Sequence, residues 1–343
     1  MSTHSRGGGR KAAWDPARHT QKKLSTHRKR RGLDRRDHRR YRQFLRHGKG
    51  RVYRRLASLV EMSPSPYRTR PYGTRGRPPT PPKDVLRFLL IKNLEGWSYD
   101  ETYATLEALP ELVAKLGFER EVPAPSTVLG WVDKIPVGFL EGLLALTVRS
   151  LVRGRVNAAG DATGVATRQY QQWFALRHGK EGRRRKFVKL HSLIATRAQW
   201  PFFLSARGTR GTRGDSPELE RLLEGLDLTV ELGNLPLDKG YQSRRNATLI
   251  EARGGVPVLA LKAHITAKAL GHPAWRRMVL RQRADGRAHR LRYNRRTVQE
   301  GVYGAFKGRF GDRVKAHKRH HQRVEVLCRV VLWNVLAQAY HLG

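Results

Sequence analysis

Four side chains that could take part in a reaction stand at helical intervals near the C-terminal end of the sequence. Tyr293 is followed by Arg296, then by Glu300 and finally by Lys307, at intervals of three, four and seven residues. With about 3.6 residues per turn, these intervals would place all four side chains on or near one helix face. A carboxylate among cations suits metal-assisted chemistry on a phosphodiester, because the acid binds the metal ion and the cations bind the phosphates.

Two aspartates extend this set of acidic side chains. Asp161 and Asp238 each follow a predicted strand, and acids at strand ends gather at one edge of a sheet. Either aspartate alone is more often a turn former or a helix cap. Together with Glu300 they favour another interpretation. We predict that the three carboxylates are catalytic and bind a pair of Mg²⁺ ions, with Mn²⁺ able to substitute, for in-line displacement at phosphorus.

The elements that must position these residues are predicted from residue 153 onward. Strands are expected at 155–161, 171–177 and 187–196, a loop at 207–214, a helix at 218–224, a strand at 228–237, a helix at 244–252, a strand at 256–261, the helix bearing Glu300, and a last helix at 322–341. This succession is typical of an α/β domain of the ribonuclease H-like class, with a mixed sheet flanked by helices.

The charge of the chain restricts its partners. Lys and Arg number 69 and Asp and Glu 28, so the formal net charge is +41. A chain with this excess repels itself, and a polyanion is its natural counterpart. Nucleic acid is therefore the predicted partner. A generic basic nucleic-acid-binding protein is the alternative, but such a protein has no use for three catalytic acids.

Residues 1–83 form a basic segment rich in Pro, Gly and Arg. Within residues 1–80 there are 24 Lys and Arg and 4 Asp and Glu, which accounts for about half of the net charge. We predict that segment 1–83 is largely disordered without DNA and binds phosphate backbones without reading sequence. A helix from about Asp34 to Val60 is also compatible with the pattern. Residues 63–83 are predicted to be a linker.

Residues 84–152 are predicted to form a small helical domain that precedes the α/β domain at 153–343. Ser98 and Glu101 form a capping-box pattern, and Pro110 and Pro125 begin further helices. Several short helices with tight turns are compatible with a helix-turn-helix-like DNA reader. A simple helical bundle explains the same pattern equally well.

The cysteine content and the apolar runs of the sequence indicate the compartment of the protein. The single cysteine, Cys328, excludes an internal disulfide and a cysteine zinc cluster. Glu325 and Arg329 interrupt the longest apolar run, and the N-terminal residues lack an apolar signal segment, so neither a membrane span nor secretion is predicted. We expect a cytoplasmic protein associated with the nucleoid.

The acidic motifs resemble those of DDE-type bacterial insertion-sequence transposases. In one large group of that family the region of the third acid reads Tyr, Arg, Glu and Lys at the intervals found in residues 293–307. The segments that begin at Asp161 and Asp238 are similar to the first and second acid motifs of the family. Residues 84–135 resemble the helical region that precedes them. The resemblance covers roughly residues 80–343.

The resemblance implies an activity and a role for each motif residue. Asp161, Asp238 and Glu300 would form the metal-binding triad of an enzyme that cleaves at its element's ends and frees a 3′-OH. That 3′-OH would attack target DNA or, in relatives, the opposite strand to give a hairpin. DNA-binding roles would fall to Arg296 and Lys307, which hold phosphates, and to Tyr293, which braces the terminal nucleotide.

Further expectations concern partners and alternatives. The DNA partners would be the terminal inverted repeats of the element and the target DNA, and two-ended DNA favours a homodimer. Trp275 is a further DNA-binding residue if it stacks on a flipped base, and otherwise a packing residue. A catalytically inactive or domesticated transposase, and a ribonuclease H-like nuclease that cuts without joining, remain as alternative functions.

Overall fold

The structure is a computed structural model that describes residues 35–69, 78–152, 154–167, 187–196, 200–261 and 264–342. The chain divides into two compact units, with the boundary between Lys49 and Gly50. The described part of the first unit, residues 35–49, belongs to helix α1 (Arg35–Met62). This helix confirms the one considered from about Asp34 to Val60. The predicted disorder of residues 1–34 and the centre of the predicted linker lie outside the described residues.

The second unit begins with short helices whose ends follow from the sequence. Ser98 accepts a hydrogen bond from the Glu101 amide, and the Glu101 carboxylate accepts one from the Ser98 amide, so the predicted capping box is confirmed. Gly96 and Gly117 end two of the helices in the left-handed conformation that glycine adopts without strain. The helices are α2 (Pro82–Glu95), α3 (Tyr99–Ala108), α4 (Pro110–Leu116), α5 (Pro125–Val132) and α6 (Val137–Val148).

A mixed sheet forms the centre of the remaining chain, in the strand order β4-β3-β2-β6-β7. Strand β3 is antiparallel to β2 and β4, whereas β6 is parallel to β2 and β7. A short strand, β8, adds to the far end of β2, and β1 pairs with β5 in a separate two-stranded sheet. The strands are β1 (Arg155–Val156), β2 (Ala158–Thr167), β3 (Phe187–Ala195), β4 (Phe203–Arg210), β5 (Glu231–Leu232), β6 (Asn234–Leu237), β7 (Val256–Leu259) and β8 (Arg313–Val314).

Helices flank this sheet, as the α/β prediction requires. Helix α11 packs on β2, α12 packs on β4 and α6, and α9 packs on α8 and β7. In the described residues no helix has both the length and the apolar character needed to cross a bilayer. The helices are α7 (Glu218–Glu224), α8 (Arg244–Ala252), α9 (Pro273–Ala284), α10 (Gly286–Tyr293), α11 (Val298–Phe310) and α12 (Arg319–His341).

Several predicted elements have different limits in the structure. Strand β2 does not end at Asp161 but continues to Thr167, because its small residues stay in register with β3. Residues 207–210, predicted to lie in a loop, belong to β4 for the same reason. Ladder pairing thus outweighs the low strand propensity of glycine. The strand predicted at 171–177 lies outside the described residues.

The segment with the Tyr, Arg, Glu and Lys residues is not one continuous helix. Tyr293 ends α10, Arg296 lies in a 3₁₀ turn (Asn294–Thr297), and Glu300 and Lys307 lie on α11. The tighter turn changes the helical phase between Arg296 and Glu300. Helices α9 and α10, upstream of this turn, were not predicted.

Candidate active site

The sheet brings Asp161 and Asp238 to neighbouring positions. Gly160 on β2 is in register with Leu237 on β6, and these two strands are parallel. The aspartates are the next residues along each strand, so they lie side by side. Asp238 also begins a 3₁₀ turn, Lys239–Tyr241, where the backbone leaves the sheet. A register-matched pair of parallel strands therefore sets the spacing of two acids.

Gly160 allows these strands to approach as closely as they do. A Cβ atom added at this position would stand 2.1 Å from Cδ2 of Leu237 and 2.9 Å from Cδ2 of Leu193. Both distances are shorter than ordinary van der Waals contact, so a side chain here would push the buried leucines away. The glycine before the first acid is thus a packing requirement of the sheet.

The Asp161 carboxylate is mostly buried and bound from two sides. Its side chain is 25% exposed. Oδ1 accepts a hydrogen bond from the amide of Ala162 at 2.8 Å, and Oδ2 accepts one from Nη1 of Arg296 at 2.9 Å. Burial raises the pKa of Asp161, and the negative charges of Asp238 and Asp215 act in the same direction. The Ala162 amide and Arg296 act against this shift, so the cation helps to keep the acid ionised.

Arg296 lies between the first and the third acid. Its Nη2 is 3.9 Å from Oε1 of Glu300, while Nη1 is bound to Asp161. The guanidinium carbon is 5.8 Å from the centre of the Tyr293 ring, and the Tyr293 hydroxyl donates a long hydrogen bond of 3.5 Å to Oδ1 of Asp238. Arg296 thus contacts two of the predicted acids, Asp161 and Glu300, and Tyr293 contacts the remaining one, Asp238.

Helix α11 carries Glu300 and is tied directly to the strand of the first acid. Gln299 is fully buried, and its Nε2 donates to the carbonyl of Ala159 at 2.8 Å. The Tyr303 hydroxyl donates to the carbonyl of Asp161 at 2.9 Å, and the Ser192 hydroxyl lies 2.8 Å from the same phenol oxygen. These contacts hold the helix while the Glu300 side chain points outward, 68% exposed.

Sequence reasoning missed both tethering residues. The available signal was a glutamine immediately before the predicted acid and a tyrosine three residues after it. At about 100° per residue, positions one before and three after Glu300 lie on one flank of α11, roughly 60–100° around the helix from the acid, and this flank contacts the sheet. Two long polar side chains on such a face need buried partners. That face therefore holds α11 to the sheet.

Two family models match the chain. One, described as Transposase DDE domain, matches residues 155–335, which is more than half of the chain. The other, described as Transposase domain (DUF772), matches residues 39–134. The chain belongs to the DDE transposases of insertion sequences. No curated protein and no solved structure matches it.

The family confirms the resemblance found in the sequence and makes DNA the substrate of this transposase. The DUF772 match begins on α1, inside the segment predicted as a basic tail, and extends through α5. Helix α1 therefore belongs to a recognised transposase domain and is more than a charged extension. The DDE match contains all three acids and both tethering residues.

The acids of this transposase fit a hard divalent cation by donor type. Carboxylate oxygens are the ligands that Mg²⁺ and Mn²⁺ accept, and Asp161 and Asp238 are already adjacent. Among the described residues, however, no three His, Cys, Asp or Glu side chains stand close enough to hold a metal ion. The guanidinium of Arg296 is paired with Asp161 and lies near Glu300. The carboxylate donors are suitable for the metal, but the described residues do not gather them into a metal site.

Lys307 follows Glu300 on α11 by about two helical turns. It is half-buried, and the structure gives it no ion pair with any described residue. A lysine without a carboxylate partner is available to a phosphate, and this agrees with its predicted role without testing it.

The prediction that Trp275 stacks on a base is wrong. Trp275 is 2% exposed and belongs to the core cluster under the sheet, together with Met278 and Val279 from the same face of α9. Its Nε1 donates to the carbonyl of Thr266 at 3.1 Å. The ring cannot reach a nucleotide without unpacking α9, because both its apolar surface and its single donor are already used.

Proposed function

We propose that this transposase cleaves DNA at the ends of its element and joins the freed 3′-OH to target DNA, with Asp161, Asp238 and Glu300 as the catalytic residues. The observation that carries the proposal is the register of Gly160 with Leu237, which places two acids side by side next to the helix of the third. The strand order, with antiparallel strands on one side of β2 and parallel strands on the other, supports a ribonuclease H-like domain.

The reaction has two displacements at phosphorus. A water oxygen attacks the scissile phosphorus, the bond to the 3′ oxygen breaks, and a 3′-OH and a 5′-phosphate result. The 3′-OH then attacks a phosphodiester of the target, and the displaced target oxygen leaves as a new 3′-OH. Mg²⁺ bound by the three acids would supply Lewis-acid activation of the attacking oxygen and charge stabilisation at the leaving oxygen.

The protein's own cations bind the reacting DNA. Arg296 pairs with Asp161 and lies near Glu300 in the DNA-free chain, and a phosphate offers the same planar pair of oxygens as a carboxylate. We infer that Arg296 exchanges its carboxylate partners for phosphate oxygens when DNA enters, which allows Glu300 to approach the aspartates. Lys307 adds a point charge further along α11, and Tyr293 braces the terminal nucleotide beside Asp238.

The proposed partners are the terminal inverted repeats and the target DNA, bound by a homodimer. The two ends of an element must meet for joining, and one active site at each end satisfies that requirement. Sedimentation of the complete chain with end DNA checks this assignment. A complex with two chains for each pair of ends is expected, and a stable complex with one chain would contradict it.

The experiment that tests catalysis compares the intact chain with Glu300→Gln on DNA carrying the element's ends, in Mg²⁺ and in Mn²⁺. The substitution keeps the shape of the side chain and removes its charge. We expect cleavage and joining to fall at least about 1,000-fold, because the charge that binds the metal is lost, while DNA affinity stays within a few-fold. Glu224→Gln, a matched change of an exposed glutamate on α7, should leave both steps intact.

The outcomes also separate the alternative functions. An intact chain that binds the ends but does not cut them would indicate an inactive or domesticated transposase. Cutting without any joined product would indicate a nuclease. If Glu300→Gln cuts as well as the intact chain, the assignment of the third acid fails.

A further inference from the structure

A fourth carboxylate, Asp215, lies against the turn that follows Asp238, and the proposed reaction does not require it. It precedes α7, and its charge acts on Asp161. Nζ of Lys189 is 2.7 Å from Oδ1 of Asp215, and Nδ1 of His191 is 3.2 Å from the same oxygen.

Asp215 is attached to the strand next to that of Asp161. Lys189 and His191 are two residues apart on β3, so both side chains lie on the same side of the sheet. His191 is opposite Ala162, the residue after Asp161, in the β2–β3 ladder. Its ring is fully buried, and Nε2 is hydrogen-bonded to the hydroxyl of Thr209 at 2.9 Å. Neither Oδ1 of Asp215 nor Nδ1 of His191 has a hydrogen-bond partner among the described residues, so the charge of Lys189 and contact with the buried ring keep the carboxylate next to β3.

The other carboxylate oxygen packs on the turn that follows the second acid. A Cβ atom added at Gly240 would stand 3.1 Å from Oδ2 of Asp215 and 3.6 Å from its Cβ. Gly240 is the centre of the 3₁₀ turn that Asp238 begins, and the Tyr241 amide closes this turn by donating to the Asp238 carbonyl at 3.0 Å. The absence of a side chain at residue 240 lets the carboxylate lie directly against the turn.

We propose that Asp215 is a positioning residue that holds the turn of Asp238 against β3 and thereby sets the position of the second acid beside the first. It links two parts of the chain next to the site: strand β3, which neighbours the strand of Asp161, and the turn of Asp238. Asp215 does not contact the reacting atoms in this role. The inference rests on the proposed function, because its consequence for activity is felt through Asp238.

A purely local role for Asp215 makes different predictions. The Asp215 carbonyl accepts the Glu218 amide at 3.0 Å at the start of α7, and any residue at position 215 keeps that backbone contact. If the side chain only supports α7, its loss affects stability and leaves the turn of Asp238 unchanged. If it positions the turn, Asp215 and Gly240 are energetically coupled across their contact.

The test is a double-mutant cycle of Asp215→Ala and Gly240→Ala in the complete chain. Hydrogen exchange of the peptide covering residues 238–242 is measured without DNA or metal, and cleavage is measured as a function of Mg²⁺ concentration. Each single change should accelerate exchange in that peptide and raise the Mg²⁺ concentration for half-maximal cleavage about tenfold, with a smaller effect on the rate at saturating Mg²⁺. The double variant should lose no more than Asp215→Ala alone, because the methyl group added at residue 240 no longer meets Oδ2 of Asp215.

Matched variants distinguish positioning from loss of stability. Asp227→Ala removes another buried carboxylate with an arginine partner, Arg149 at 2.8 Å, and it should lower the melting temperature without changing exchange in 238–242 or the Mg²⁺ midpoint. If Asp215→Ala does not fold, Asp215→Asn keeps the shape, and a faster exchange of the same peptide is still expected.

The two readouts also separate this inference from the proposed function. Single variants with unchanged exchange, or a double variant whose losses are the sum of the single ones, would overturn the positioning role. If the intact chain never cleaves but exchange follows the cycle, Asp215 still positions the turn and the proposed catalysis is what fails.

Discussion

The two aspartates and the glutamate of the proposed active site are held in different ways. Asp161 and Asp238 extend from neighbouring parallel strands whose register sets their spacing, and buried leucines surround the glycine before the first of them. Glu300 projects from a helix that is tied to the sheet by Gln299 and Tyr303 on an adjoining face, and its side chain remains mostly exposed. One part of the site is set by the backbone ladder, and the other by a few side-chain contacts.

This difference indicates which part of the site is adjustable. A strand pair cannot shift by less than a residue without breaking its ladder, so the separation of the aspartates is set when the sheet forms. A glutamate on a helix can change rotamer at little cost. The Arg296 guanidinium now lies between Glu300 and Asp161, so DNA phosphates that draw it away would complete the site. In the proposed reaction, assembly of the third acid would therefore depend on substrate binding.

The largest effect that follows from this difference concerns Arg296. Replacing Arg296 with Ala should lower the cleavage rate about 100-fold, because a donor to the reacting phosphate is lost. The Mg²⁺ concentration for half-maximal cleavage should not rise, since removing a cation from two carboxylates does not weaken their attraction for a metal ion. Single-turnover cleavage across a series of Mg²⁺ concentrations measures both quantities.

Arg295 provides the control for that prediction. It lies on the same 3₁₀ turn, is exposed, and the structure gives it no ion pair with any described residue. The Arg295→Ala variant removes the same charge from the same turn and should stay within about threefold of the intact chain, as expected for an exposed charge. Equal losses in the two variants would mean that general charge, and not the position of Arg296, explains the effect.

Two glycines, one next to the first acid and one next to the third, allow the packing around these two parts of the site to be compared. Gly160 precedes Asp161 in the sheet, and its replacement by Ala should reduce the free energy of unfolding by about 1–3 kcal/mol, because the methyl group collides with Leu237. Gly301 follows Glu300 on α11, and nothing lies within 4 Å of a Cβ atom there. Its replacement by Ala should raise the free energy of unfolding by about 0.5–1 kcal/mol through helix propensity.

Chemical denaturation of both variants measures these changes. Opposite signs would support a tightly packed sheet next to the first acid and an unconstrained helix surface next to the third. If Gly301→Ala destabilises the chain as much as Gly160→Ala does, the outer face of α11 is packed and the difference between the two parts of the site is lost.

The sequence predicted the elements that carry two of the candidate acids better than the contacts that hold them. Asp238 follows a strand and Glu300 lies on a helix, as predicted, although the 3₁₀ turn at Asn294–Thr297 divides the segment from Tyr293 to Lys307. Strand β4 was missed because Gly208 and the arginines around it are poor strand formers, and only the ladder with β3 makes them one. The positions of Gln299 and Asp215 depend on contacts distant in sequence, which no local pattern contains.

Trp275 is a second residue whose position could not be predicted from the local sequence. A tryptophan within a basic segment is compatible with base stacking as long as only composition is considered. Its burial follows from the apolar face of α9, and that face becomes visible only when the helix limits are known. The prediction failed because the helix itself was not predicted, so the residues that share the ring's face were not identified.

The smallest effect expected concerns the hydroxyl of Tyr303, which ties α11 to the carbonyl of Asp161. Tyr303→Phe keeps the ring and removes the donor, so a buried carbonyl loses a partner and the free energy of unfolding should fall by about 1–2 kcal/mol. Tyr241→Phe is the matched control, because the buried Tyr241 hydroxyl has no hydrogen-bond partner among the described residues. Removing that hydroxyl should leave stability unchanged or slightly raise it. Denaturation curves of the two variants decide whether this hydrogen bond stabilises the fold. Equal stabilities would show that it adds nothing, and the attachment of α11 to the sheet would then rest on Gln299 and on helix packing.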